Sequence, residues 1–130
     1  ILADIPVALP ALTRAGKLGK RAAQVGFEWP DIAGALDKVA EEIAELKTEV
    51  AQRTDQAAVE AEMGDLFFSL VNVCRYLQVD AENALRQANV KFERRFRYVE
   101  RRLQEQGRKV EDATLQEMDA LWDEGKRTER

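Results

Sequence analysis

The sequence contains no histidine, and this absence excludes more chemistry than any other feature of the 130-residue chain. Zinc sites of the common types use histidine or cysteine ligands, and di-iron helical bundles need Glu-x-x-His pairs. Nucleophilic catalysis that depends on a histidine base is excluded for the same reason. Any bound metal must therefore be held by oxygen atoms alone. That donor set favours Mg²⁺ or Mn²⁺, with Ca²⁺ a weaker candidate.

Cysteine, long apolar runs and excess positive charge are also scarce. The single cysteine, Cys74, excludes a framework of disulfides and favours a reducing, cytoplasmic setting. No apolar run approaches the ~20 residues that a membrane span needs, and no signal-peptide pattern is visible. A formal net charge of −4 argues against a nucleic-acid-binding domain. We therefore expect neither nucleic acid nor a membrane among the partners. Because the chain begins with Ile1, we also expect it to be part of a longer protein or a trimmed form of one.

Hydrophobic periodicity predicts an all-α fold of about five helices in a single domain, residues 1–130, with helices two to four as its frame. Residues 1–10 are expected to form an extended lead-in, and residues 125–130 a frayed tail. Breaks are predicted at residues 53–55, where Thr54 or Asp55 is the next N-cap, and at Gly107. Further N-caps are predicted at Asp80 and Thr114. The first helix is predicted over residues 11–25, and the fourth from its cap at Asp80 to about residue 106. The second helix is predicted to begin at residue 32, the third to end near residue 77, and the fifth to begin near residue 115.

The second predicted helix carries apolar and acidic residues on different sides. Six apolar residues recur at spacings of 4, 3, 4, 3 and 4, which predicts a surface for packing against other helices. We call this set the α2 apolar seam: Ile32, Leu36, Val39, Ile43, Leu46 and Val50. A second band begins about 80° from the centre of the seam and contains Lys38, Glu42, Glu45 and Glu49.

The third predicted helix has a polar row along one edge of a broad apolar face, and the row faces either a cavity or solvent. Glu62 and Asp65 belong to this row and are three residues apart, as are Glu42 and Glu45. Each pair therefore projects from one side of its helix. The short break between the helices favours antiparallel packing. Four carboxylates brought close together repel one another unless a cation neutralises them, so we predict an oxygen-only metal site.

The fourth predicted helix supplies positive charge. Lys91 and Arg95 lie one turn apart beside its apolar residues. A group of acids with lysine and arginine nearby suits a phosphate ester bound to a metal. Each motif alone is more often solvated surface. The alternative that stays open is a helical interaction module without enzymatic activity.

The pattern Glu41-Glu42-x-x-Glu45, a spacer, then Glu62-x-x-Asp65 resembles that of the MazG-type all-α nucleoside triphosphate pyrophosphohydrolases. The resemblance extends to residues 9–15, 20–29, 37–39, 62–66 and 88–96. It covers nearly the whole chain and is specific to the C-terminal, catalytically competent half of a two-domain MazG protein. Gly16 and Gly19 depart from the pattern, since larger residues are expected there.

The resemblance implies Mg²⁺-dependent hydrolysis of nucleoside triphosphates to the monophosphate and pyrophosphate, with water attacking the α-phosphorus and Mn²⁺ as an alternative ion. By resemblance, the catalytic acids and Mg²⁺ ligands are Glu42, Glu45, Glu62 and Asp65. Lys38, Lys91 and Arg95 match positions that contact the phosphates, and Trp122 matches a position near the nucleotide. The resemblance also implies a four-helix core completed by a second copy, in a homodimer or larger homo-oligomer. A related hydrolase with a narrower substrate, dUTP, dCTP or phosphoribosyl-ATP, stays open as an alternative.

Overall fold

The computed structural model describes residues 1–52 and 55–129. Within these residues there are five α-helices, one 3-10 turn at Val110–Asp112 and no strand, so the predicted all-α class is confirmed. The helices are α1 (Ala11–Ala23), α2 (Ile32–Gln52), α3 (Gln56–Tyr76), α4 (Ala81–Glu105) and α5 (Leu115–Thr128). The chain divides into two compact units, Ile1–Ala84 and Leu85–Arg130. Among the described helices, none has the length and apolar character that crossing a membrane requires.

The first ten residues form turns instead of the extended lead-in predicted from the sequence. Ile5 is buried, and its N–H donates to the carbonyl of Leu2 at 3.2 Å. Arg21 of α1 donates to the carbonyl of Ile1 at 2.9 Å and to Asp4 at 2.6 Å. Arg14 of α1 also donates from Nε to the carbonyl of Pro6 at 3.3 Å. The segment is therefore held against the first helix by burial of one apolar side chain and by two arginines.

Three helix starts follow local side-chain chemistry, as the sequence predicts. Asp55 and Asp80 accept hydrogen bonds from backbone N–H groups three residues further on, at 2.8 and 3.0 Å. Thr114 and Glu117 form a reciprocal capping box at the start of α5. These bonds satisfy N–H groups that have no partner within the helix. The rest of the predicted break, residues 53–54, lies outside the described residues.

Helices α1, α3 and α4 end in the same way. A residue two or three positions beyond the last helical residue has a positive φ: Gly26 at 91°, Gln78 at 57° and Gly107 at 70°. The next N–H then bonds to a carbonyl five residues back, as from Val79 to Cys74 at 2.9 Å. This is a Schellman motif, which usually has glycine at the left-handed position. Gly107 was predicted as the stop of α4, whereas Gln78 pays a steric cost that glycine avoids.

Helix α3 packs against both α1 and α2, and the face of α2 that is covered is not centred on the α2 apolar seam. Ala35 and Glu42 are buried, at 1% and 4% exposure, while Leu36 and Val50 remain 51% and 59% exposed. The acidic band of α2 therefore turns inward, and its apolar seam is only partly covered within this unit. On α3 the polar row also turns inward, since Ser69, the next member of this row after Asp65, is buried.

In the second unit, α5 runs antiparallel to α4. Arg102 of α4 pairs with Glu124 of α5 at 3.2 Å, and Val99 and Leu103 are the largest fully buried side chains. The two helices approach each other closely at Gly125, where an added Cβ would lie 2.8 Å from the ring of Tyr98.

The end of α5 lies further along the chain than predicted. The sequence predicts a frayed tail from Gly125, but the helix continues to Thr128. Gly125 is buried, and the hydroxyl of Thr128 donates to its carbonyl at 2.8 Å. Close packing at the glycine, together with this hydrogen bond, explains why the last turn is helical.

Candidate active site

Three carboxylates converge where α2 packs against α3. Glu42 projects from α2, and Glu62 and Asp65 project from one side of α3. One oxygen of each lies within 4.8 Å of the others, and we call these three residues the acidic cluster. The convergence follows from two local facts, the three-residue spacing on α3 and the inward turn of the α2 acidic band.

The buried oxygens of this cluster are incompletely satisfied. The side chain of Glu42 is 6% exposed, and its Oε1 accepts from Lys38 Nζ at 3.0 Å. Its other oxygen, Oε2, and Oε2 of Glu62 are buried without a hydrogen-bond partner among the described residues. Buried carboxylate oxygens without a donor are costly. The cluster thus offers bare oxygen ligands, and such an all-oxygen donor set fits a hard divalent cation such as Mg²⁺ or Mn²⁺.

The pKa values show that the acids repel one another. Burial raises the pKa of Glu62 to about 6, with the charges of Glu45 and Glu42 adding to the effect. The charge of Glu42, followed by burial, raises the pKa of Glu45. Lys38 has the opposite effect, since its hydrogen bond holds the pKa of Glu42 below the ordinary value. Glu45 is therefore electrostatically coupled to the acidic cluster, although it is not one of the three that converge.

Two of the other predicted site residues meet in the second unit. The guanidinium carbon of Arg95 lies 6.0 Å from the ring centroid of Trp122, and the ring of Phe92 lies 5.3 Å from that of Trp122. The side chain of Arg95 is 18% exposed. Lys91, one turn earlier on α4, is exposed. The structure thus places the cation of Arg95 beside the aromatic ring of Trp122.

Sequence reasoning missed Glu129, which it assigned to the frayed tail. The carboxylate of Glu129 bonds to Arg94 Nε at 3.1 Å and to Arg95 Nη2 at 3.1 Å. These two arginines lower the pKa of Glu129 to about 2. No spacing within α5 indicates this pair, because Glu129 follows the last helical residue, Thr128, and its partners lie on α4.

Comparison with known proteins gives a consistent result. The family model of the MazG nucleotide pyrophosphohydrolase domain matches residues 33–100, which include the acidic cluster. The nucleoside triphosphate pyrophosphohydrolase of Escherichia coli (strain K12) is 50% identical over 129 residues, covering 98% of this chain and 49% of that protein. The Thermotoga maritima nucleoside triphosphate pyrophosphohydrolase/pyrophosphatase MazG is 38% identical over 125 residues, covering 96% of this chain and 48% of that protein. The chain therefore spans about half the length of these curated relatives.

Proposed function

The chain belongs to the MazG nucleotide pyrophosphohydrolase family, and we propose that it hydrolyses nucleoside triphosphates to the monophosphate and pyrophosphate. The observation that carries this proposal is the acidic cluster, in which the buried Oε2 atoms of Glu42 and Glu62 have no donor among the described residues. The names of the relatives support a nucleoside triphosphate as substrate.

We assign the metal to Glu42, Glu62 and Asp65, with Glu45 as the fourth acid. Oxygen donors alone, at this spacing, fit Mg²⁺ best and Mn²⁺ as an alternative. When bound, Mg²⁺ supplies Lewis-acid polarisation of the phosphate oxygens and lowers the pKa of water. Among the described residues, Lys38 is the cation that forms an ion pair with these four carboxylates, through Glu42 at 3.0 Å.

The remaining residues bind and orient the triphosphate. Lys91 and Arg95 present positive charge to the phosphates and neutralise the charge that develops on the departing pyrophosphate. Trp122 offers an aromatic surface to the nucleotide next to Arg95. One of the four acids orients the water that attacks the α-phosphorus.

Product analysis tests the proposal directly. The protein is incubated with ribo- and deoxynucleoside triphosphates, in Mg²⁺ and in chelator, and the products are identified. We expect monophosphate and pyrophosphate in Mg²⁺ and neither in chelator. Asp65→Asn should lower the rate at least 100-fold, because it removes one charged metal ligand. Glu60→Gln, an exposed carboxylate on the same helix, is the matched control and should stay within about twofold. Release of orthophosphate would refute the reaction.

The same panel separates the alternatives. A dUTP, dCTP or phosphoribosyl-ATP hydrolase would accept one substrate and reject the rest, whereas we propose broad activity. An interaction module without activity would release no product, and Mg²⁺ with nucleotide would leave its melting temperature unchanged.

We also propose that two copies associate through their exposed apolar faces. Leu36 and Val50 on α2 are 51% and 59% exposed, and Phe67 on α3 is 53% exposed. Exposed apolar area of this kind marks a surface that becomes covered in an assembly. A homodimer would complete the four-helix core that the resemblance implies. Light scattering after size-exclusion chromatography tests this, and a monomer at every concentration would contradict it.

A further inference from the structure

We infer that Glu129 is a positioning residue that fixes the guanidinium of Arg95, so that Arg95 presents one defined edge to the phosphates of the substrate. The inference rests on the proposed function, because it assumes that Arg95 contacts phosphate. The inference adds Glu129 to the site. Glu129 bonds to Arg95 and lies outside residues 33–100, which the family model matches.

The hydrogen-bond geometry carries the argument. Arg95 donates to Glu129 Oε2 from Nε at 3.2 Å and from Nη2 at 3.1 Å. Nε and Nη2 form one edge of the planar guanidinium, and the edge that includes Nη1 faces the other way. Because the group is planar and rigid, holding one edge fixes the direction of the other. A phosphate can then take two donors from the remaining edge.

Glu129 is itself held firmly enough to act as a support. Its Oε1 accepts from Arg94 Nε at 3.1 Å, so two consecutive arginines of α4 donate hydrogen bonds to one carboxylate. The end of α5 that delivers Glu129 is fixed by the contact between Gly125 and Tyr98. The side chain of Glu129 is only 26% exposed. Two positive charges against one negative charge leave the group with a net charge of +1, which still attracts phosphate.

The aromatic side of the site fixes a second direction. The guanidinium carbon of Arg95 lies 6.0 Å from the ring centroid of Trp122, and Phe92 packs against the same ring at 5.3 Å. Arg95 is thus restrained at one edge by a carboxylate and near a ring by Trp122. This arrangement differs from an exposed ion pair, whose two long side chains remain mobile and contribute little.

Glu129→Gln tests the inference because it keeps the size of the side chain but replaces one acceptor oxygen with a donor. The matched control is Glu124→Gln, since Glu124 is held by Arg102 across the same two helices and does not contact Arg95. We expect the KM for nucleoside triphosphate to rise roughly tenfold in Glu129→Gln, because the phosphate-binding edge loses its fixed direction. The control should stay within about twofold of the parent.

A double-mutant cycle separates positioning from a purely structural role. If Glu129 acts through Arg95, then Glu129→Gln should change the KM by less than about twofold when Arg95 is already alanine. The same roughly tenfold loss in both backgrounds would overturn the inference, and so would a single variant that behaves like the parent. Glu129→Asp, which keeps the charge, should recover part of the lost affinity.

A measurement without nucleotide keeps the inference separate from the proposed reaction. In a Trp29→Phe background, Trp122 is the only tryptophan. We expect Glu129→Gln and Arg95→Ala to change its emission or its quenching by iodide, and Glu124→Gln to leave both unchanged. Unchanged emission and quenching in Glu129→Gln would overturn positioning even in an active enzyme. A protein that shows the change but releases no pyrophosphate would instead refute the proposed function.

Discussion

Removing one carboxylate from the acidic cluster should make the protein more stable than the parent without Mg²⁺ and less stable than the parent with Mg²⁺. Glu62→Gln deletes a charge from the site where burial and neighbouring acids raise the pKa of Glu62 to about 6. Without metal the variant should melt at a higher temperature than the parent, because one source of repulsion is gone. With Mg²⁺ the order should reverse, because the parent gains more from binding.

The size of the effect follows from ligand linkage. At a Mg²⁺ concentration of 100 times Kd, the folded parent gains about 2.7 kcal/mol. For a chain of 130 residues, the entropy of unfolding is about 270 cal/mol/K, so the melting temperature should rise by about 10 °C. Loss of one ligand should weaken Mg²⁺ binding about 100-fold. Changes to outer-shell residues already weaken metal binding by about 10- to 100-fold, and a direct ligand should matter at least as much. The gain at the same Mg²⁺ concentration then falls to about 0.4 kcal/mol, or roughly 1–2 °C.

Differential scanning calorimetry across a Mg²⁺ titration measures both numbers. Glu60→Gln is again the matched control, since it removes an exposed charge from the same helix and should respond to Mg²⁺ as the parent does. The reasoning would be refuted if Glu62→Gln kept the full response. It would also fail if Mg²⁺ left the parent unchanged at concentrations that support hydrolysis.

Three further predictions concern stability. Gly125→Ala should destabilise the protein by about 1–3 kcal/mol in urea unfolding, because the new Cβ would lie 2.8 Å from the Tyr98 ring; an unchanged midpoint would contradict the close contact. Gln78→Gly should stabilise it by about 0.5–1 kcal/mol in the same assay, because φ is 57° at this position, and a loss of stability would contradict the helix-end assignment. Arg108 lowers the pKa of Glu117 to about 2, so the contribution of Glu117 is present above its ordinary value of 4.5 and is lost as the pH falls toward 2. Glu117→Gln should therefore be less stable than the parent at neutral pH and equally stable near pH 2, and a deficit independent of pH would contradict this account.

The parts of the fold that could be predicted are those fixed by residues close together in the chain. Asp55, Asp80 and Thr114 begin helices because each accepts an N–H only three residues away. The convergence of Glu42 with Glu62 could also be anticipated, since each acid lies on a defined side of its helix and the two helices adjoin.

The parts that could not be predicted depend on contacts between distant residues. Periodicity located the α2 apolar seam, but not the fact that Leu36 stays half exposed while Glu42 is buried. Glu129 pairs with Arg95 across 34 positions, and no spacing within one helix indicates such a pair. The charged composition of the tail predicted fraying. That prediction was wrong because the close contact of Gly125 with Tyr98 involves residues distant in the chain and leaves no local signal in the sequence.

Because the α2 acidic band faces inward, binding of the proposed ion should change the local stability of α2 and α3 as well as the chemistry of the site. Glu42 is buried near the acids of α3, so the proposed ion would stabilise the packing of the two helices by neutralising carboxylates that otherwise repel one another. Amide protons along α2 and α3 should therefore exchange with solvent deuterium faster in chelator than in Mg²⁺, while those of α5 serve as an internal reference. The rate at which this helix pair opens locally would then depend on the Mg²⁺ concentration, and the chain should be cleaved fastest by proteases when Mg²⁺ is removed.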